Sequence, residues 1–356
     1  MAVRRRVLIA SLAAAAAVFA VSVPARAQDA SVSGTVTLAA YSGIFQDNYM
    51  KAVVEPFMKK FPNVKVTYYP FPNSAQMLGA LRAQKGSPQI DVALLDVSIA
   101  KVGTDEDLFA PLDPAAVPSI ANLYDLAAAP GVLGRAVTFD HLTLIYNTKA
   151  IAVPPTSWNA LWDRALSGKV AIMGVPDIQG IALTIMANKI AGGGDPSAGV
   201  EKGIARMVEL APLVQTWDPK PDVYTPIING TADIGIGWNA RSQFYHDESK
   251  GVLGAVLPQE GSVFQVNMLN LVKGSPNQKA ALAFINYALG PEAQKSFTET
   301  MFYAPTNRKA EISKAALDRT AAGHMSSMVP VDWIAMAKAR DRLTEQWRRQ
   351  VLPASR

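Results

Sequence analysis

Three short apolar runs end in side chains able to hold a small molecule. Residues 233–239 read Asp-Ile-Gly-Ile-Gly-Trp-Asn, and Arg241 follows closely. Residues 91–98 read Asp-Val-Ala-Leu-Leu-Asp-Val-Ser and finish on Asp96 and Ser98, while the run at 33–40 leads into Tyr41 and Ser42. Trp238 and Tyr41 offer aromatic faces. The planar fork of Arg241 suits a carboxylate or phosphonate bidentately. Asp96 with the Trp238 ring suits an ammonium group. The parts for bond-making chemistry are poor by comparison. His141, His246 and His324 are scattered, and there is no cysteine. Neither an H-E-x-x-H pair nor a G-x-S-x-G elbow occurs. Gly192-Gly-Gly-Asp195 lacks the Lys-Ser/Thr of a phosphate loop, and Asp105-Glu106-Asp107 reads as a solvated loop. The sequence therefore predicts a binding site with no catalytic residue, no metal and no cofactor.

Side chains at the carboxyl ends of strands need an α/β sheet to present them, since ligands of open α/β sheets bind in the crevice beyond those ends. Alternation and helical spacing give strand 33–40, helix 45–60, strand 64–69, helix 75–84 with Asn73 as its cap, and strand 91–95. This order predicts a parallel sheet with right-handed crossovers. Residues 113–134 read as irregular surface. A second α/β series follows: helix 158–166, strand 169–173, helices 178–190, 196–210 and 223–229, strand 233–238, a helix from Ala240, and strand 252–257. Helices 277–289, 291–299, 309–318 and 331–351 complete it, with residues 301–305 as a loop at the cleft mouth. Two long β-prone segments, 135–147 and 264–273, read as chain crossings between two lobes. Paired crossings make a hinge, and closure about a hinge is a common response to ligand.

At 356 residues, half of them hydrophobic, the chain is long enough for two such lobes. Arg4, Arg5 and Arg6, an uncharged run over 7–23, and Ala25-Arg26-Ala27 read as an export leader cleaved after Ala27. Without the leader's four arginines, the 34 basic residues become 30 against 29 acidic ones, a net charge of +1. The basic character belongs to the leader, so no nucleic-acid partner is expected.

Several segments in order resemble one family. They are Tyr146-Asn-Thr-Lys, Pro155-Thr-Ser-Trp-Asn-Ala-Leu-Trp, Ser167-Gly-Lys, Asp233-Ile-Gly-Ile-Gly-Trp, Ala283-Phe-Ile-Asn-Tyr-Ala-Leu-Gly-Pro-Glu and Tyr303-Ala-Pro-Thr-Asn. The chain resembles bacterial extracellular solute-binding proteins of ABC importers, in the polyamine-, ferric-ion- and thiamine-binding branch. The resemblance implies a type II periplasmic binding fold: two lobes, each a mostly parallel sheet flanked by helices, joined by a two-crossover hinge. Lobe 1 is expected at 28–138 plus 266–308, and lobe 2 at 139–265 plus 309–356. The implied setting is the periplasm, with a membrane permease as partner and the protein a monomer. Trp238 matches the aromatic wall of polyamine binders, Asp177 one of their acids and Tyr303 a later contact. Asn267 stands in the return hinge, where Gln265-Val266-Asn267 replaces their tryptophan-valine-aspartate, and Gly180 replaces a glutamate. Ferric-ion binders carry a tyrosine pair where this chain has 239–242, and Arg241 would repel a cation. The set Tyr41, Ser42, Asp96, Ser98, Asp177, Trp238, Arg241, Asn267 and Tyr303 suits an amino-acid-, opine- or polyamine-like solute. A secreted α/β enzyme and a ferric-ion binder are the alternatives.

Overall fold

The computed structural model describes residues 31–355, and the leader expected at 1–27 lies outside them. Among the described residues the strands are β1 (Gly34–Tyr41), β2 (Val64–Phe71), β3 (Val92–Asp96), β4 (Phe109–Ala110), β5 (Arg135–Asn147), β6 (Val170–Ala171), β7 (Val214–Thr216), β8 (Ile234–Trp238), β9 (Leu253–Val256), β10 (Ser262–Val272) and β11 (Met328–Val329). They connect in the order β2-β1-β3-β10-β5-β8-β6-β7, with β4 and β11 on β10 and β9 on β5. β1 lies parallel to β2 and β3, and β6 lies parallel to β7 and β8. Such interior strands, covered on both faces, read as apolar runs, and all five residues of β8 are buried.

The crossing strands join these two parallel groups and run antiparallel to each other, β10 also antiparallel to β3 and β5 to β8, while the short β11 lies parallel to β10. Residues 135–141 of β5 pair with β10; from Leu142 to Tyr146 the same strand pairs with β8. The change of partner falls between His141 and Leu142. β10 then borders β3 through Asn267–Leu271. The 233–238 run is thus parallel to β6 on one side but antiparallel to β5 on the other, because the crossing strand enters beside it.

Several expected helices are shorter or differently wound. Residues 158–166 form two 3-10 turns, each started by a cap, Ser157 Oγ to Asn159 N–H and Asp163 Oδ1 to Ala165 N–H. Trp158 and Trp162 still pack as expected: Trp158 Nε1 donates to Gly261 O at 2.8 Å and Trp162 Nε1 to Arg206 O at 2.8 Å. The 196–210 helix starts only at Glu201, since Asp195 turns the chain through Ser197 N–H at 2.9 Å. The 45–60 helix runs from Ile44 to Lys60 but widens to a π-turn over Met50–Val54. Pro56 cannot donate to residue 52, and the ladder re-spaces just ahead of it. The last long helix, Trp333–Gln346, straps the two lobes. It packs on helix Val97–Asp105. Trp333 Nε1 donates to Phe264 O at 2.6 Å and Trp347 Nε1 to Thr184 Oγ1 at 2.9 Å.

Candidate functional site

β1 and β3 present Tyr41 and Asp96 at their carboxyl ends, and β10 passes beside them. A hydrogen-bond chain ties these ends together. Asp96 N–H donates to Ser74 Oγ (3.0 Å), which shares a proton with the Tyr41 hydroxyl (2.8 Å). The Tyr41 hydroxyl donates to Asn267 Oδ1 (3.0 Å), and Asn267 Nδ2 donates to Thr138 Oγ1 (2.9 Å). Asn267 is 1 % exposed, so each half of its amide needs such a partner. Burial, with Asp96 alongside, pushes the Tyr41 phenol far up, which keeps it a neutral donor.

Two carboxylates reach the same cavity from different helices. Asp96 caps helix Val97–Asp105: its Oδ1 accepts from Ser98 N–H (3.1 Å), Ile99 N–H (3.1 Å) and Ser98 Oγ (2.5 Å). Asp177 caps helix Ile178–Ile190, with Oδ1 accepting from Gln179 N–H at 2.8 Å. In each, Oδ2 makes no hydrogen bond among the described residues. Burial raises the Asp177 carboxyl, opposed by Gln179 N–H, Arg340 and Arg241, while Asp96 adds to the rise.

β8 leads into a charge of opposite sign. Trp238 closes the strand, and Arg241 sits in the first turn of helix Asn239–Glu248. A cation at the positive end of a helix opposes the macrodipole, so Arg241 contributes nothing there to helix stability. Among the described residues it makes no ion pair; Asp247 is instead paired with Arg319 at 3.0 Å. Arg241 lies beside the Tyr303 hydroxyl, and Tyr303, stacked on Phe297 with centroids 5.4 Å apart, is pushed up to about 12 by burial, opposed by Arg241.

These groups surround one cavity of about 570 Å³, of a size suited to a small organic molecule. Tyr41, Asp96, Asp177, Trp238, Arg241, Asn267 and Tyr303 all line it. Ser42 and Ser98 do not. Ser98 is 4 % exposed and its hydroxyl is spent on Asp96, while Ser42 turns the chain through its N–H to Phe71 O at 2.9 Å. The wall also holds Ser74, Gln179, Trp217, Gln265, Arg340 and the ion-paired Asp218 and Lys220. Gln179 and Gln265 had a signal in sequence, being beside Asp177 and within the return hinge. Arg340 had none, because nothing local places the terminal helix at the cleft. Its Nη2 donates to Pro176 O at 2.7 Å. A separate hollow of about 270 Å³ between Lys85, Asp107 and Lys273 gathers none of the strand-end groups, and Lys273 is paired with Asp107 there. No group of three or more His, Cys, Asp or Glu placed to hold a metal occurs among the described residues.

The family model described as bacterial extracellular solute-binding protein matches residues 52–322. The γ-aminobutyric acid-binding protein of Pseudomonas aeruginosa is 28 % identical over 220 residues, 58 % of this chain and 58 % of that protein's length. The spermidine/putrescine-binding periplasmic protein of Escherichia coli is 24 % identical over 285 residues, 75 % of this chain and 78 % of that one. Among solved structures, an ABC transporter substrate-binding protein from Bradyrhizobium japonicum superposes with a TM-score of 0.77 at 20 % identity, covering 88 % of this chain and 98 % of that one. The fold is the type II periplasmic binding fold, and the chain belongs to the bacterial extracellular solute-binding protein family.

Proposed function

We propose that the chain is the periplasmic substrate-binding component of an ABC importer. It captures a small polar organic solute between its lobes and delivers it to the membrane permease. The lobes in this reading are 28–138 plus 266–308 and 139–265 plus 309–356, the leader is removed near Ala27, and the protein acts as a monomer without cofactor. The solute is a zwitterion of the amino-acid or opine kind. The charge inventory of the cavity carries this reading: Arg241 and Arg340, neither in an ion pair among the described residues, and two carboxylates, Asp96 and Asp177, each with one unspent oxygen. A half-buried charge that a ligand seals from water needs a partner of opposite sign, and a ligand with an ammonium at one end and a carboxylate at the other supplies both. Tyr41, Trp238, Asn267 and Tyr303 would pack and hydrogen-bond its middle.

Isothermal titration of the mature protein with γ-aminobutyric acid tests this. Binding is expected, and Arg241→Gln should weaken it by about 30-fold or more, from the ~2 kcal/mol or more lost with one partner of a buried pair. No binding, or an indifferent Arg241→Gln, refutes the zwitterion. The facing carboxylates favour a diamine as second reading. Putrescine that binds while γ-aminobutyric acid does not would select it.

A further inference from the structure

Of two buried groups at the crossing of β5 and β10, one has no counter-ion and the other has an oxygen with no donor among the described residues. Asp140 is 1 % exposed and makes no ion pair among the described residues. Its carboxyl accepts from the backbone N–H of His141 (2.8 Å) and of Ala240 (3.1 and 3.3 Å), one residue before Arg241. Gln265 is its direct partner on β10, 9 % exposed and on the cavity wall, and its Oε1 has no donor. Residues directly opposed on antiparallel strands share a face, with Cβ atoms about 4.5–5.5 Å apart. An ionised carboxylate offers only acceptors, so it would set two buried acceptors side by side; a carboxylic acid has one O–H to give. We infer that Asp140 carries a proton and donates it to Gln265 Oε1, leaving the Arg241 charge uncancelled and making Asp140 a positioning residue that selects ligands with an anionic group.

The surroundings agree. Arg241, Tyr224 and Tyr303 face Asp140 from the packed elements, and His141 adjoins it on β5. Only Arg241 among these is charged at neutral pH. Burial pushes both tyrosines up and His141 down to about 3. Burial likewise pushes Asp140 up to about 8, against the two backbone donors and Arg241. The selection of an anionic group rests on reading Arg241 as the carboxylate anchor; the proton itself does not.

The experiment separates the two. Infrared spectra of the ligand-free protein with 13C-carboxyl-labelled aspartate are compared with those of Asp140→Asn. A protonated-carboxyl band is expected at pH 6 that vanishes as pH passes about 8 and is missing from the variant. Its absence from the wild type at pH 6 means an ionised Asp140 held by the backbone N–H groups of His141 and Ala240, and overturns the inference. Gln265→Leu, read in the labelled protein, is expected to lower the midpoint of that band by about one pH unit, since the acid form loses its acceptor; an unmoved midpoint removes Gln265 from the assignment. γ-Aminobutyric acid affinity should fall about tenfold from pH 6.5 to 9 in the wild type and stay level in Asp140→Asn, the difference of one pKa unit per tenfold setting the scale. A wild type that ignores γ-aminobutyric acid at every pH counts against the zwitterion alone, and the carboxyl band still decides the proton.

Discussion

Asp140 and His141 are consecutive, both buried, and both held neutral by the same cause acting in opposite directions. Burial raises the Asp140 carboxyl from 3.8 to about 8 and lowers the His141 imidazole from 6.5 to about 3. A raised carboxyl contributes stability that is complete below its ordinary 3.8 and is lost as pH rises to about 8. A depressed imidazole contributes stability above 6.5 that is lost as pH falls toward about 3. The two slopes offset between 3.8 and 6.5, and above 6.5 only the Asp140 slope remains. Urea unfolding should therefore show the wild type losing on the order of 1–2 kcal/mol between pH 6.5 and 8, at ~1.4 kcal/mol per proton per pH unit. Asp140→Asn should lack that loss; equal slopes in the two proteins would contradict it. His141 Nδ1 has no partner among the described residues.

Helix Ile178–Ile190 shows how an element positions a charge. Asp177 caps it, and its first turn lies so close to the preceding loop that a Cβ on Gly180 would meet Val175 N at 2.4 Å and Gly174 C at 2.6 Å. Backbone atoms cannot move aside as a flexible side chain can, so this turn admits only glycine. A glutamate at this position would have no room. Gly180→Ala should destabilise by ~1–3 kcal/mol and weaken ligand binding by shifting Asp177. Gly79→Ala is the control: nothing lies within 4 Å of its added Cβ, in helix Ser74–Ala83. It should stabilise by ~0.5–1 kcal/mol. Denaturant midpoints measure both, and the same sign for the two would defeat the close-approach argument. Elements of this kind were legible in sequence where local chemistry decides them. The Asn73 cap and strand β8 are examples. The 158–166 stretch misled because its apolar spacing fits a helix while Ser157 and Asp163 each restart the chain.

At the scale of the molecule, the crossings at β5 and β10 were visible because long β-prone segments stand out between helices. The side chains at strand ends followed from that topology, which is why Tyr41, Asp96, Trp238 and Arg241 meet at one cavity. What remained hidden depends on long-range packing. The strap Trp333–Gln346 brings Arg340 to the cleft wall, and no local pattern encodes which lobe a terminal helix will lie across. Ser98 looked available from its position but is consumed locally by the cap it helps to build.

Asp96 and Asp177 cap helices on opposite sides of the cavity, and the presence of one raises the carboxyl of the other. When both are ionised, like charges on the two jaws push the mouth open, against the pull of Arg340 and Arg241 on Asp177. A cationic group lodged between them turns the same pair into a clasp. Concentrated salt screens such forces, since at 1 M they fade within about 3 Å. Small-angle scattering of the empty protein should then give a smaller radius of gyration in 1 M than in 0.01 M sodium chloride, and Asp96→Asn should already be contracted at low salt. A radius indifferent to both would show that the jaws rest where their backbone alone sets them.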